Sequence, residues 1–272
     1  MSKASVIISF YNRIDQLKLI LTALNQQTFS DFEVIISDDG SNKEVVDEIQ
    51  NIINQYSFDI THVWHPDNGF NKTKILNKSI ISSKADYLIF IDGDCIPANT
   101  FIDDHLKYSQ DKRVLIGRRV ELSLKLSEKI TSEYIQSRKF KWLSSIALLD
   151  SFKSDTRKAE AGIRMSSKWI NEKLGSYNKG ILGCNFSVHK SLLLELNGFD
   201  ERYIYPGVGE DTELRERVRH AGLEIFKPKF ALVQYHLWHK KQSRSGQAEN
   251  MKLLKETMEN KYIKTPYGIN KE

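Results

Sequence analysis

A chain of 272 residues, 40% hydrophobic and 28% charged, has the composition of an ordinary folded protein, with room for one large α/β domain or two small ones. Its two cysteines, Cys95 and Cys184, exclude a disulfide scaffold and fit a reducing compartment. The formal net charge of +5 is concentrated in residues 125–179, where 12 Lys/Arg meet 6 Asp/Glu; that suits a local anionic partner and argues against nucleic acid, which needs a broader basic face.

The chain opens with "ASVIISF" (4–10), a buried strand rather than a signal peptide. No stretch approaches the roughly 20 apolar residues that cross a bilayer. Residues 13–27 follow with helical spacing at Leu17, Leu21 and Leu24. "FEVIISDDGS" (32–41) is a second strand that ends in acid and glycine. Residues 43–56 predict a helix with Val46, Ile49 and Ile53 on one face, and 60–65 a short strand before the turn signal Asp67-Asn68-Gly69. A helix over 71–83 leads into the strand Tyr87 to Ile91. This alternation predicts a mostly parallel central sheet flanked by helices.

After Pro97 the pattern predicts a helix over 99–109 and a strand over 114–122, then a basic, aromatic-containing stretch, 123–179, helical in pieces. Residues 180–203 give a strand, a helix and a glycine stop at Gly198. Residues 209–223 read as a helix with acids in the first turn and basic residues in the last, the order its dipole favours. A strand pair over 223–241 and an amphipathic tail helix over 246–262 complete the chain.

Two strands end in the same chemistry, Asp38-Asp39-Gly40 and Asp92-Gly93-Asp94. Open α/β sheets bind ligands at the carboxyl ends of their strands. Two carboxylates one residue apart repel, so a cation belongs beside Asp92 and Asp94. The first strand runs into "SFYNR" with no Gly-x-Gly-x-x-Gly, which excludes the usual dinucleotide fingerprint.

"VIISFYNR", "EVIISDDGS", "HPDNGF", "YLIFIDGDCIP", "NGFDERY…GEDTELRERVRHAGL" and "VQYHLWHKK" occur in order between residues 6 and 241. As a set they resemble the family 2 inverting glycosyltransferases of GT-A fold, in particular the bacterial capsule and chondroitin-polymerase-like members, and more distantly the C-terminal region of galactosyltransferases. The resemblance implies a Rossmann-like nucleotide-sugar half over 1–122, an acceptor half over 123–241, and a helical tail over 242–272. It implies a nucleoside-diphosphate sugar donor, UDP-linked, a saccharide or lipid-linked saccharide acceptor, and Mn²⁺ or Mg²⁺ as cofactor.

Residue by residue, the resemblance makes Asp94 a metal ligand and places Asp92, beyond Gly93, on the ribose or a metal-bound water. His236 or His239 completes the metal shell; His236 ranks first because it follows the strand-like "LVQY" directly. Asp39 or Asp38 reads the base, the backbone of Ser9, Tyr11, Asn12 and Arg13 closes over it, and Lys74 reaches the diphosphate. Asp211 is implied as the catalytic base and Glu210 as an acceptor-orienting residue, with Asn185 a sugar contact. For the basic segment, the readings are acceptor recognition, a peripheral contact with an anionic membrane at its cytoplasmic face through residues such as Arg157 and Lys158, or simply a solvated surface. The rivals to a transferase are a metal-dependent sugar nucleotidyltransferase, which shares the paired aspartates, and a non-catalytic nucleotide-sugar or glycan-binding module.

Overall fold

The computed structural model describes residues 2–207, 209–240 and 246–271, so the boundary expected after residue 241 lies outside the described residues. The first half runs β1 (Ala4–Phe10), α1 (Ile14–Leu24), β2 (Phe32–Asp38), α2 (Lys43–Ile52), β3 (Ile60–Trp64), α3 (Lys72–Ser82) and β4 (Tyr87–Asp92). It continues with β5 (Cys95–Pro97), α4 (Phe101–Tyr108), β6 (Arg113–Ile116) and β7 (Arg118–Glu121). The basic stretch holds α5 (Leu124–Ser127), α6 (Ser132–Gln136), α7 (Leu143–Asp150) and α8 (Lys168–Lys173), joined by 3-10 turns. Then come β8 (Ser176–Tyr177), β9 (Asn185–His189), α9 (Lys190–Glu195), α10 (Glu210–His220), β10 (Glu224–Lys227), β11 (Val233–His236) and α11 (Gln247–Glu259).

Eight strands form one sheet in the order β3-β2-β1-β4-β9-β6-β10-β8, and β5-β11-β7 form a second, small sheet. Strands β3, β2, β1 and β4 are all parallel, and the antiparallel β9 joins them to the parallel pair β6 and β10. The central strands are apolar on both faces because helices cover both. Side chains alternate, so Val6, Ile8, Val34, Ile36, Ile89 and Ile91 enter one core while Ile7, Ile35, Leu88 and Phe90 enter the other.

Three sequence expectations change. The strand expected over 114–122 divides at Gly117 into β6 and β7, which belong to different sheets. A Cβ on Gly117 would fall 1.9 Å from Asn185 Oδ1, so only glycine lets Asn185 pack into the division. The strand pair expected over 223–241 is no pair: β10 lies in the main sheet and β11 in the small one. The buried stripe of α2 is Val45, Ile49 and Ile52 rather than Val46, Ile49 and Ile53.

Helix α2 starts at Asn42, whose side chain accepts the Val45 N–H at 3.0 Å. Asn42→Ala removes that cap and should cost about 1 kcal/mol. Urea denaturation at unchanged m would show it as a lower midpoint, and an unmoved midpoint would deny the cap any role.

Candidate active site

The carboxyl ends of β1, β2 and β4 share one edge of the main sheet, flanked by the end of β11, around an open cleft of about 1220 Å³. After Asp92 the chain turns through Gly93 and Asp94 and returns as β5. A Cβ on Gly93 would lie 2.8 Å from the Ser9 carbonyl, so glycine is required where this turn crosses the end of β1. β5 then pairs with β11 in the register His236↔Cys95, which fixes His236 beside Asp94.

Asp94 Oδ1 lies 3.6 Å from His236 Nε2, and Oδ2 lies 3.3 Å from His239 Nε2. Burial pushes the Asp94 pKa up, but the His239 hydrogen bond and the charges of both imidazoles outweigh it and hold it down at about 2. His239 is raised, chiefly by its bond to Asp94, whereas burial lowers His236. Ligand atoms of Asp94, Cys95 and His236 lie within 4.8 Å of one another. The Cys95 thiol is pushed up by burial and donates to Asp94 Oδ1 at 3.3 Å, so it stays neutral and supports the carboxylate. An ionised carboxylate beside imidazole nitrogen fits a divalent cation, and the nitrogen favours Mn²⁺ over Mg²⁺.

Asp92 faces a different partner. The Lys72 ammonium, at the start of α3, lies 3.0 Å from Asp92 Oδ1 and 2.9 Å from Glu210 Oε1. Burial alone would lower the lysine's pKa, but Asp92 and Glu210 raise it well above normal, so Lys72 is a permanent cation between two acids. Breaking a buried pair from one side costs about 3–5 kcal/mol, less where water reaches it. Lys72→Met should therefore lower kcat/KM roughly 100-fold with the fold intact by circular dichroism. Wild-type turnover in that variant would remove Lys72 from the site.

The acid pair stands at the start of α10. This helix is anchored by the fully buried Arg217, which donates to both Glu213 oxygens (2.7 and 2.8 Å) and to the carbonyls of Leu196 and Gly198. Glu210 lines the cleft, but Asp211 turns to the 180–184 loop, where Oδ2 accepts the Gly183 N–H at 3.2 Å. The pKa of Asp211 is raised by burial and then by the neighbouring Glu210.

The cleft is also lined by Ser9, Tyr11, Asn12, Arg13 and Asp39. Asn12 is left-handed (φ 56°), a conformation asparagine tolerates; its N–H bonds Ser41 Oγ, and its Oδ1 accepts the Asn42 N–H. Asp39 pairs with His65 Nε2 at 2.8 Å and accepts the Asn71 N–H. Burial nevertheless raises its pKa.

Residues 5–157 match the model of glycosyl transferase family 2, and residues 165–241 match the N-terminal domain of galactosyltransferase. The chain belongs to glycosyl transferase family 2. It is 28% identical over 250 residues to a hyaluronan synthase of Pasteurella multocida, covering 85% of this chain and 24% of the synthase. A chondroitin synthase of Escherichia coli is 26% identical over 254 residues, covering 85% of this chain and 34% of that protein. The chain thus spans about a quarter to a third of these relatives. Staphylococcus aureus TarS superposes with TM-score 0.59 at 15% identity, over 94% of this chain and 39% of that one. A mannosyltransferase of Pyrobaculum calidifontis, solved with GDP-Man and Mn²⁺, gives 0.54 at 14% identity, over 92% and 60%. These likenesses show the fold, which is GT-A.

Within this family 2 framework, four residues singled out from sequence do not line the cleft, and one of them is Asp211, whose carboxylate faces the 180–184 loop. Asp38 is fully buried: Oδ1 accepts the Ser41 N–H and O–H, and Oδ2 pairs with His62, so it braces the end of β2. Asn185 is also fully buried and donates to the carbonyls of Arg118 and Leu232. Lys74 lies two positions past Lys72 on α3 and does not line the cleft. Conversely, Lys72 and Arg119 line the cleft without having been singled out. Helical spacing alone does not rank Lys72 above Lys74; only the position of α10 does. Arg119 follows the Gly117 break, which sequence did not reveal.

Proposed function

We propose that this chain transfers a hexose or N-acetylhexosamine from a UDP-sugar to a saccharide acceptor, with inversion at the anomeric carbon and with Mn²⁺ as cofactor. The observation that carries the reading is the convergence of Asp94 and His236 on one side of the cleft with the Lys72–Glu210 pair on another. Asp94 and His236, with His239 within reach, would hold the cation, which when bound offsets the charge gathering on the diphosphate leaving group. Asp39 reads the base edge, and the Ser9–Arg13 segment closes over the nucleotide. Lys72 holds Asp92 and Glu210 in place. Asp211 takes the proton from the acceptor hydroxyl. Glu210 is tied to the Lys72 ammonium, whereas Asp211 has a pKa raised by burial and by Glu210 and accepts from the Gly183 N–H and the Thr212 O–H.

The test is UDP release from a set of UDP-sugars with Mn²⁺, with and without saccharide acceptors. Release that increases with acceptor supports transfer. Pyrophosphate released from a sugar phosphate and a nucleoside triphosphate would replace the reading with a nucleotidyltransferase. Binding of UDP-sugar without turnover would leave a binding module.

A further inference from the structure

Helix α7 and the turn after it are apolar on the outside as well as the inside. Leu143 and Ala147 are buried in the core, yet Trp142 is 66% exposed, Leu149 67% and Phe152 80%. Spacings of seven and three residues put these three on one stripe of the segment. A surface helix ordinarily turns polar residues to water, and a contiguous apolar stripe marks a docking face.

Beside it, α5, α6 and α7 enclose a groove of about 330 Å³ with Leu126, Ile146 and Leu149 against Lys125, Lys129 and Lys153. Lys139 and Lys141 are exposed just before Trp142. Over residues 125–158 there are eight Lys/Arg and four Asp/Glu, and one of those acids, Asp150, accepts from Ser123 and Thr156. The surface adjoins the cleft: Ser127 at the end of α5 accepts the Trp238 N–H at 2.8 Å, and Trp238 lines the cleft. Arg157 and Lys158, marked from sequence for a membrane contact, are instead paired with Glu121 at the cleft, and Lys125, Lys129, Lys139, Lys141 and Lys153 carry the positive charge of this face.

We propose that the α5–α7 face docks on an anionic lipid bilayer, with Trp142, Leu149 and Phe152 entering the interface and the surrounding lysines meeting lipid phosphates. Protruding tryptophan, leucine and phenylalanine ringed by lysine match both layers of such a surface, apolar below and negative above. A saccharide would meet the lysines but offers no comparable apolar partner. The docking does not depend on the chemistry assigned to the cleft.

Cosedimentation of the full chain with vesicles tests it. Binding is expected to vesicles containing phosphatidylglycerol, to weaken as salt rises, and to be slight on phosphatidylcholine alone. Trp142→Ser/Leu149→Ser/Phe152→Ser and, separately, Lys125→Glu/Lys129→Glu/Lys153→Glu should each lower partitioning at least about tenfold. UDP release in free solution should be unchanged in both, which verifies folding and separates this test from that of the transfer reaction. Absence of binding to anionic vesicles, or wild-type binding by the apolar triple variant, would overturn the proposal. So would lipid-free dimerisation abolished by that variant, which would make the face a contact between copies.

Discussion

Asp211→Asn is expected to lower kcat for sugar transfer roughly 1000-fold, within the span that general-base groups contribute, while nucleotide affinity stays near wild type. Asparagine is close in shape and still offers an oxygen to the Gly183 N–H, so the 180–184 loop has no reason to move. The pH dependence separates the two acids. Burial and the charge on Glu210 raise the Asp211 pKa, and a general base must be deprotonated to act. Activity should therefore fall as pH drops through that raised value, placing the acid limb above the pH at which an unperturbed aspartate titrates. Glu210→Gln removes a negative neighbour and should move the limb to lower pH. If Asp211→Asn kept most of its activity while Glu210→Gln lost it, the roles would be reversed.

What sequence could and could not show follows from period and direction. The parallel half was legible because β1, β2 and β4 each carry a short apolar run (Val6–Ile8, Val34–Ile36 and Leu88–Ile91), and a run buried on both faces ends sharply where it meets the ligand edge. Asp92 and Asp94 stand at that edge and face different partners, one Lys72 and the other two histidines. Asp38 and Asp39 illustrate the limit. Successive side chains at a strand end point opposite ways, so one of the pair had to turn from the cleft, but composition does not say which. His62 on β3, in the main sheet, decides it by pairing with Asp38. The small sheet was illegible for a similar reason: β5 has three residues and β7 four, too few for alternation to register, and their pairing with β11 joins positions more than a hundred residues apart.

That small sheet bears on the second large effect. Asp94→Asn is expected to weaken Mn²⁺ binding, measured by titration calorimetry with UDP present, about 100-fold and to lower kcat/KM at least as much. Both histidines approach Asp94, and its pKa near 2 keeps it charged wherever the enzyme would work. Asparagine retains an oxygen but loses the charge that attracts a cation. Asp92→Asn should weaken the metal less, because Asp92 is already paired with Lys72. The histidines differ in how they are held: His236 is locked in register opposite Cys95, while His239 lies beyond the strand with Nδ1 near the Lys240 carbonyl. His236→Ala should therefore cost more affinity than His239→Ala, and it should narrow the preference for Mn²⁺ over Mg²⁺ as the nitrogen ligand is lost. Equal Mn²⁺ affinity in Asp94→Asn and wild type would move the cation away from the β4–β11 junction.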